Sequence, residues 1–162
     1  MAAPPKSTLL AKVRAARSEW ERTLAAVAPA SAEEPGVAGD WSLKDIVAHV
    51  SWSDREIAPV FETRRMAGSA LWELPLPERN AGMVAEARKK SAAVVFAEGQ
   101  QAYERLLAAL EALPEALLGD SGAFEGMPRE WEPWQLVPGT TYGHYPQHIP
   151  DIEAWLARIS RP

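Results

Sequence analysis

The sequence contains no cysteine. That excludes a disulfide framework, a cysteine nucleophile and thiolate metal ligands. Basic charge is also in short supply. Seventeen Lys and Arg against 22 Asp and Glu leave a formal net charge of −5. A phosphate-backbone binder carries the opposite excess, so nucleic acid is not an expected partner. No apolar run approaches the ~20 residues of a membrane span, so no membrane association is expected. Met1-Ala2-Ala3-Pro4-Pro5-Lys6 has no apolar core behind a charged head, and the expected location is therefore cytoplasmic. Internal repeats, low-complexity tracts and Asn-Gly or Asp-Gly hairpin signals are missing as well. Histidine is scarce, with three in 162 residues.

What is present is helical periodicity. A hydrophobic share of 47% and a charged share of 24% are those of a globular chain, and its length suits one domain spanning residues 1–162. Ser7 is placed as an N-cap. Behind it Leu9, Val13, Ala16, Trp20, Leu24 and Val27 recur every three or four residues, which predicts a helix ending before Pro29. Residues 29–40 read as a loop. Ser42 and Asp45 form an acidic capping box for a second helix with the stripe Leu43, Ile46, Val50, Ile57 and Phe61. It is expected to reach about Met66, with Gly68 as the stop. A short helix over 78–89 and a longer one behind Ser91 follow, either joined or separate. The longer one carries Val95, Gly99, Ala102, Leu106, Ala109 and Leu113, and Pro114 ends it. Residues 115–133 read as loop with one turn at 115–118.

The last helix is expected from Trp134 to Ile159, through Pro138, Pro146 and Pro150. An interior proline costs about 3 kcal/mol in a helix. On a helical wheel Pro146 and Pro150 lie away from His148, on the solvent side, so the expectation is a bent helix and not a broken one. Four long helices without alternating strands predict an all-α four-helix bundle with a loop-rich connection before the last helix.

His144 and His148 are four apart, which puts both imidazoles on one helix face. Two imidazoles so spaced can hold one metal ion. The remaining histidine, His49, lies on the flank of the second helix's stripe. Together they would make a three-imidazole metal site with positions left open for water or substrate. The spacing alone also fits a pair on an ordinary helix surface, and His49 a histidine satisfied within the core. Asp45 and Glu56 lie one or two turns from His49, as acceptors for an imidazole N–H or a general base, or as a cap and a solvated charge. Thr141 and Trp155 share the His148 face, to line a pocket or to pack. Arg64-Arg65 and Arg88-Lys89-Lys90 read as solvated charges.

The run Trp41-Ser42-Leu43-Lys44-Asp45-Ile46-Val47-Ala48-His49-Val50 with Trp52 resembles the DinB-like (YfiT-like) four-helix bundle superfamily. So do Thr141-Tyr142-Gly143-His144-Tyr145, His148-Ile149-Pro150-Asp151-Ile152 and Trp155-Leu156. Asn80-Ala81 and Leu110-Glu111-Ala112-Leu113-Pro114 fit too. The resemblance covers Ser7 to Ile159 and is nearest to the ClbS/DfsB-type branch. It implies an up-down-down-up bundle and a divalent metal, Zn or Ni before Fe or Mn, on His49, His144 and His148. It further implies a small-molecule substrate and a homodimer. Relatives include thiol-dependent transferases and a mycothiol-dependent maleylpyruvate isomerase, in which one position of the pair is Glu. Another branch hydrolyses a genotoxin without this triad. Pro146 stands where relatives usually carry a charge.

Two functions are expected. One is a metal-dependent enzyme acting on a small electrophile, with a low-molecular-weight thiol as cosubstrate; no general base is assigned and the catalytic residues are unknown. The alternative is a non-catalytic stress-response or small-molecule-sequestering bundle with an incidental metal.

Overall fold

A computed structural model describes residues 3–160. It is mostly helical. Helix α1 spans Lys6–Ala25, α2 Leu43–Thr63, α3 Leu76–Arg88, α4 Ala92–Ala112, α5 Leu136–Thr140 and α6 Tyr145–Ile159. Among the described residues no helix is long and apolar enough to cross a membrane.

Helix α2 is the centre of the packing. It lies against α4 and also touches α3, α5 and α6, while α1 packs on α6 and α4. Glu62 of α2 receives Arg105 of α4 at 2.6 and 2.8 Å, and near the other end Lys44 donates to the Lys90 carbonyl at 3.0 Å. The two helices therefore run parallel. They are in close contact at Gly99, where a Cβ would stand 2.5 Å from the Ser51 hydroxyl. That contact requires glycine in the α4 stripe.

The capping box that opens α2 forms as expected, with Ser42 Oγ accepting from the Asp45 amide and the Asp45 carboxylate accepting from the Ser42 amide. Several other boundaries shift. Pro5, not Ser7, precedes α1, and no side chain caps that helix. Its amide donors are free in the first turn in any case, which suits a proline-led start. Helix α2 stops at Thr63 because Arg64 turns left-handed at φ 55°, where the Arg64 carbonyl and the Met66 amide are engaged by Glu125. Ser91 caps α4 separately from α3. A turn at Glu115–Gly119 takes the place expected for one.

The stretch 29–40 is not all loop. Pro35–Ala38 (β1) pairs antiparallel with Trp41–Ser42 (β2). The Gly39-Asp40 turn, with Gly39 at φ 63°, carries the hairpin in the reverse order of the dipeptides sought in the sequence. Strand β1 packs on α6, and Arg158 donates to the Gly36 carbonyl at 2.6 Å.

The expected bent helix from Trp134 to Ile159 is instead broken. A 3₁₀ turn at Pro133–Gln135 leads into α5, and four residues then separate α5 from α6. The reason is local. In a continuous helix Pro146 would leave the carbonyl four residues back unpaired and strike it with its ring. Placed one residue after the start of α6, it loses nothing, because first-turn amides have no partner. Gly143 completes the break: its amide reaches back to Pro138 O at 2.8 Å, and a Cβ there would lie 2.7 Å from that oxygen. Pro146 and Pro150 are exposed, on the solvent side as the wheel placed them.

The interior has two apolar halves. One gathers Leu9, Val13, Ile57, Phe61, Leu106, Leu110 and Phe124. The other gathers Trp20, Leu43, Ile46, Val50, Tyr145, Ile152 and Trp155. The second half lies next to the histidines.

Candidate metal centre

Three elements bring the histidines together. The capping box fixes the first turn of α2, and His49 follows within the next turn. His144 occupies the N-cap position of α6, with φ −105° and ψ −53°, and His148 lies in that helix's first turn. The pair thus straddles the helix start instead of lying within one long helix. Its i,i+4 geometry survives because His144 already has helical backbone angles.

One ligand atom from each of His49, His144 and His148 lies within 4.8 Å of the others. The rings meet edge-on, with centroids 4.9 to 5.1 Å apart. His49 Nε2 and His144 Nε2 are separated by 3.1 Å. Two nitrogens bound to one tetrahedral ion at 2.0–2.1 Å must themselves lie roughly 3.3 Å apart. The spacing therefore suits chelation as well as a hydrogen bond between neutral rings.

The electrostatics point the same way. Burial, and after it the charge of His148, holds His49 down at about 4. Burial, then His49 and His148, holds His144 at about 3. His148 is lowered as well, chiefly by burial, with Asp151 acting against the shift. All three are neutral at pH 7, the form that donates a lone pair to a metal. His49 Nδ1, His144 Nδ1 and His148 Nε2 are buried without a hydrogen-bond partner among the described residues. Buried polar atoms are normally satisfied. The two Nδ1 atoms are not the ones that converge: His49 and His144 face each other through Nε2, and it is those nitrogens, spaced for chelation, together with a nitrogen of His148, that fit a divalent ion.

Other candidate residues fall elsewhere. Asp45 is engaged by the capping box and by Arg88 at 3.2 Å. Glu56 accepts from the Ser69 amide at 2.6 Å. Neither receives an imidazole N–H. Thr141 bonds its own helix at Val137 O, and Trp155 is buried against Gly36. Trp41 does reach the site, its ring 5.4 Å from His49. The basic runs are largely paired: Arg65 with Glu125, Arg88 with Asp45 and Lys90 with Glu98.

The structure adds a buried acid that the helical periodicity does not single out. Asp54 is fully buried on α2 and accepts from the Tyr145 hydroxyl at 2.7 Å. Burial pushes its carboxyl up to about 7, against the pull of Tyr145 and Arg17. Tyr145 is itself raised, chiefly by burial. The signal was in the sequence: Asp54 stands four residues after Val50 and three before Ile57, on the apolar stripe itself.

A cavity of about 380 Å³ opens between α2, α3 and α4, with Ser51, Trp52, Leu71, Met83, Ala87 and Val95 in its wall. None of the three histidines lines it.

A helical bundle-like chain with three convergent neutral imidazoles defines a class of candidate metal proteins. The chain belongs to the mycothiol maleylpyruvate isomerase N-terminal domain family, whose pattern matches residues 13–138, and so to the DinB-like helical superfamily. The match includes His49 and ends before His144. Among solved structures, the chain is similar to an uncharacterised protein from Escherichia coli UTI89. The TM-score is 0.77 at 13% identity, over 99% of this chain and 98% of that one. That likeness concerns the fold. No curated protein matches the chain.

Proposed function

We propose that this is a metal-dependent enzyme that acts on a small electrophilic molecule together with a low-molecular-weight thiol, in transferase, isomerase or hydrolase chemistry. One observation carries the reading: all three histidines converge, one ring nitrogen of each within 4.8 Å of the others, and all are held neutral. Membership of a family named for a mycothiol-linked isomerase supports the thiol. His49, His144 and His148 are the proposed ligands, and the resemblance to the DinB-like superfamily favours Zn or Ni before Fe or Mn among the ions that imidazole donors could hold. A divalent ion held there would lower the pKa of a bound water or thiol and so supply a nucleophile near neutral pH. The chain's own part is to hold three rings neutral and oriented, and Trp41 shields one side of His49. We further propose that the whole chain is one up-down-down-up bundle of the ClbS/DfsB type, formed by α1, α2, α4 and α6. The parallel run of α2 and α4 supports that topology.

The test is a thiol-conjugation assay over a panel of electrophiles, with stoichiometric Zn²⁺ or Ni²⁺ and with chelator. Metal-dependent turnover lost in His144→Ala is the expected result. Absence of metal-dependent turnover across the panel refutes the enzymatic reading. A second reading, small-molecule sequestration, draws on the cavity walled by Trp52 and Met83, away from the histidines. It expects ligand binding that chelation leaves unchanged.

A further inference from the structure

We infer that the buried hydrogen bond between Tyr145 and Asp54 is the latch that positions His144 against His49, an inference that rests on the metal-centre reading for its functional meaning. His144 lies at a break in the chain. In an unbroken helix the preceding turn would fix its direction, but here Thr141 has φ −121° and ψ −105° and α5 ends before it. The His144 and Tyr145 amides bond locally to the Thr141 carbonyl at 2.8 and 2.9 Å, which fixes the turn but not its position against α2; that position must come from tertiary contact. Tyr145, the next residue, is the anchor available: it is fully buried, and Trp20 of α1 stacks on it at 5.7 Å. Its hydroxyl donates to Asp54 Oδ2 at 2.7 Å.

Asp54 lies five residues after His49 on the same helix. The bond therefore ties the backbone carrying one imidazole to the helix carrying the other. No other side-chain hydrogen bond among the described residues joins α2 to α6 except the imidazole contact itself.

Stability alone does not account for the pair. Asp54 has no exposed surface, its Oδ1 has no partner, and no described cation forms a salt bridge with it. Arg17, also buried, gives its Nε to Glu21 and an Nη to Gln100 instead. Burying a carboxylate on these terms is costly, and an apolar pair of the same shape would serve packing better. What the bond adds is direction: a short acceptor on a rigid helix fixes where the phenol, and hence the adjoining His144, must sit. Asp54 and Tyr145 are positioning residues on this account and do not touch the metal.

Three variants test it: Tyr145→Phe, Asp54→Leu and Asp54→Asn. Long-range ¹⁵N NMR of the imidazoles in the metal-free protein reads ring placement, Zn²⁺ competition titration reads affinity, and circular dichroism reports folding. Tyr145→Phe and Asp54→Leu should shift the His144 ring signals and weaken Zn²⁺ about tenfold or more. Asp54→Asn keeps an acceptor and should stay within roughly threefold of the parent. Unchanged ring signals in both Tyr145→Phe and Asp54→Leu would overturn the latch. So would an Asp54→Asn protein as impaired as Asp54→Leu, because the acceptor would then not be what matters. Should the parent protein take up no Zn²⁺, the metal reading falls, and the metal-free spectra still decide the latch. Should Asp54→Leu not fold, Tyr145→Phe decides it.

Discussion

The two halves of the interior are built on different terms. Around Leu9, Val13, Leu106, Leu110 and Phe124 the core is apolar apart from the Tyr103 ring, which stacks on Arg17, and the Thr140 and Thr141 hydroxyls, which are satisfied at the Val137 carbonyl. Around Trp20, Leu43 and Tyr145 it borders three orphaned imidazole nitrogens and the unpartnered oxygen of Asp54. Satisfying polar groups is cheap for a chain that has only to fold. Unpartnered polar atoms gather in the half that borders the histidines, which is the half proposed to bind a metal, while the polar groups of the other half are satisfied. If so, the two halves should respond differently to damage.

The largest effect is expected in the apolar half. Leu106 is fully buried there, and Leu106→Ala should destabilise by about 2–5 kcal/mol. Zn²⁺ affinity of the folded fraction should stay within roughly twofold, since distant sites behave additively. Urea unfolding and competition titration measure the two. A large loss of affinity would show that the halves are coupled.

Next in size is the response to metal. A ligand that binds only the folded state adds about 2.7 kcal/mol at a hundredfold excess over Kd, or roughly 5–10 °C in melting temperature for a chain of this size. Chelation should remove that gain and Zn²⁺ or Ni²⁺ should restore it. His148→Ala should abolish the response while leaving the metal-free melting temperature within a few degrees. An unchanged melting temperature on adding saturating metal to the metal-free parent at pH 7.5 would mean that the histidines are not a site.

A third perturbation aims at the junction. At Gly143 an added Cβ meets backbone, Pro138 O at 2.7 Å. Gly143→Ala should therefore cost about 1–3 kcal/mol and weaken metal binding together with it, because His144 is the next residue. Calorimetry and titration on one sample would show whether both losses appear. A stable variant with parental affinity would mean that the turn tolerates the side chain.

The contrast between the halves also explains what the sequence made legible. The stripes of α1, α2 and α4 are repetitive signals and were readable, as was the Ser42/Asp45 box. The histidine set was readable because there were only three to place. The break before α6 was not. Pro146 fits a kink within a helix as well as a first turn, where a proline costs nothing, and the need for glycine at 143 arises from a carbonyl five residues away. The hairpin at Pro35–Ala38 gives no Asn-Gly or Asp-Gly signal because its turn is Gly39-Asp40. Asp54 interrupts an apolar stripe whose period continues on either side of it. A polar residue on an apolar stripe has no local explanation, and its partner Tyr145 is 91 positions away.

The smallest effect concerns Asp54 and pH, and it separates the two kinds of buried group within the polar half. Its carboxyl is pushed up to about 7 by burial, from an unfolded value of about 3.9. The folded protein therefore holds this proton more tightly than the unfolded chain does. The stabilisation is fully present below about pH 4 and is lost as pH rises through about 7. The histidines have the opposite sign: with folded values lowered to about 4 at His49 and about 3 at His144, their contribution is present above the unfolded value of about 6.5 and is lost as pH falls. In the parent the two trends oppose each other between pH 4 and 7. Asp54→Asn removes one of them. The amide is neutral throughout and still accepts from Tyr145, although its NH₂ takes the place of the unpartnered Oδ1. The linkage favours the variant by about 4 kcal/mol between pH 4 and 8, but the buried, unpartnered NH₂ costs about 1–3 kcal/mol at every pH, so the net gain at pH 8 should be modest, about 1 kcal/mol, and near pH 4 the variant should be the less stable of the two. Urea unfolding of both proteins in chelator from pH 4 to 8 gives the difference directly, with the histidine contribution common to both. A difference that does not change with pH would mean that Asp54 binds its proton no more tightly in the folded protein than in the unfolded chain, and that its burial does not favour the protonated acid.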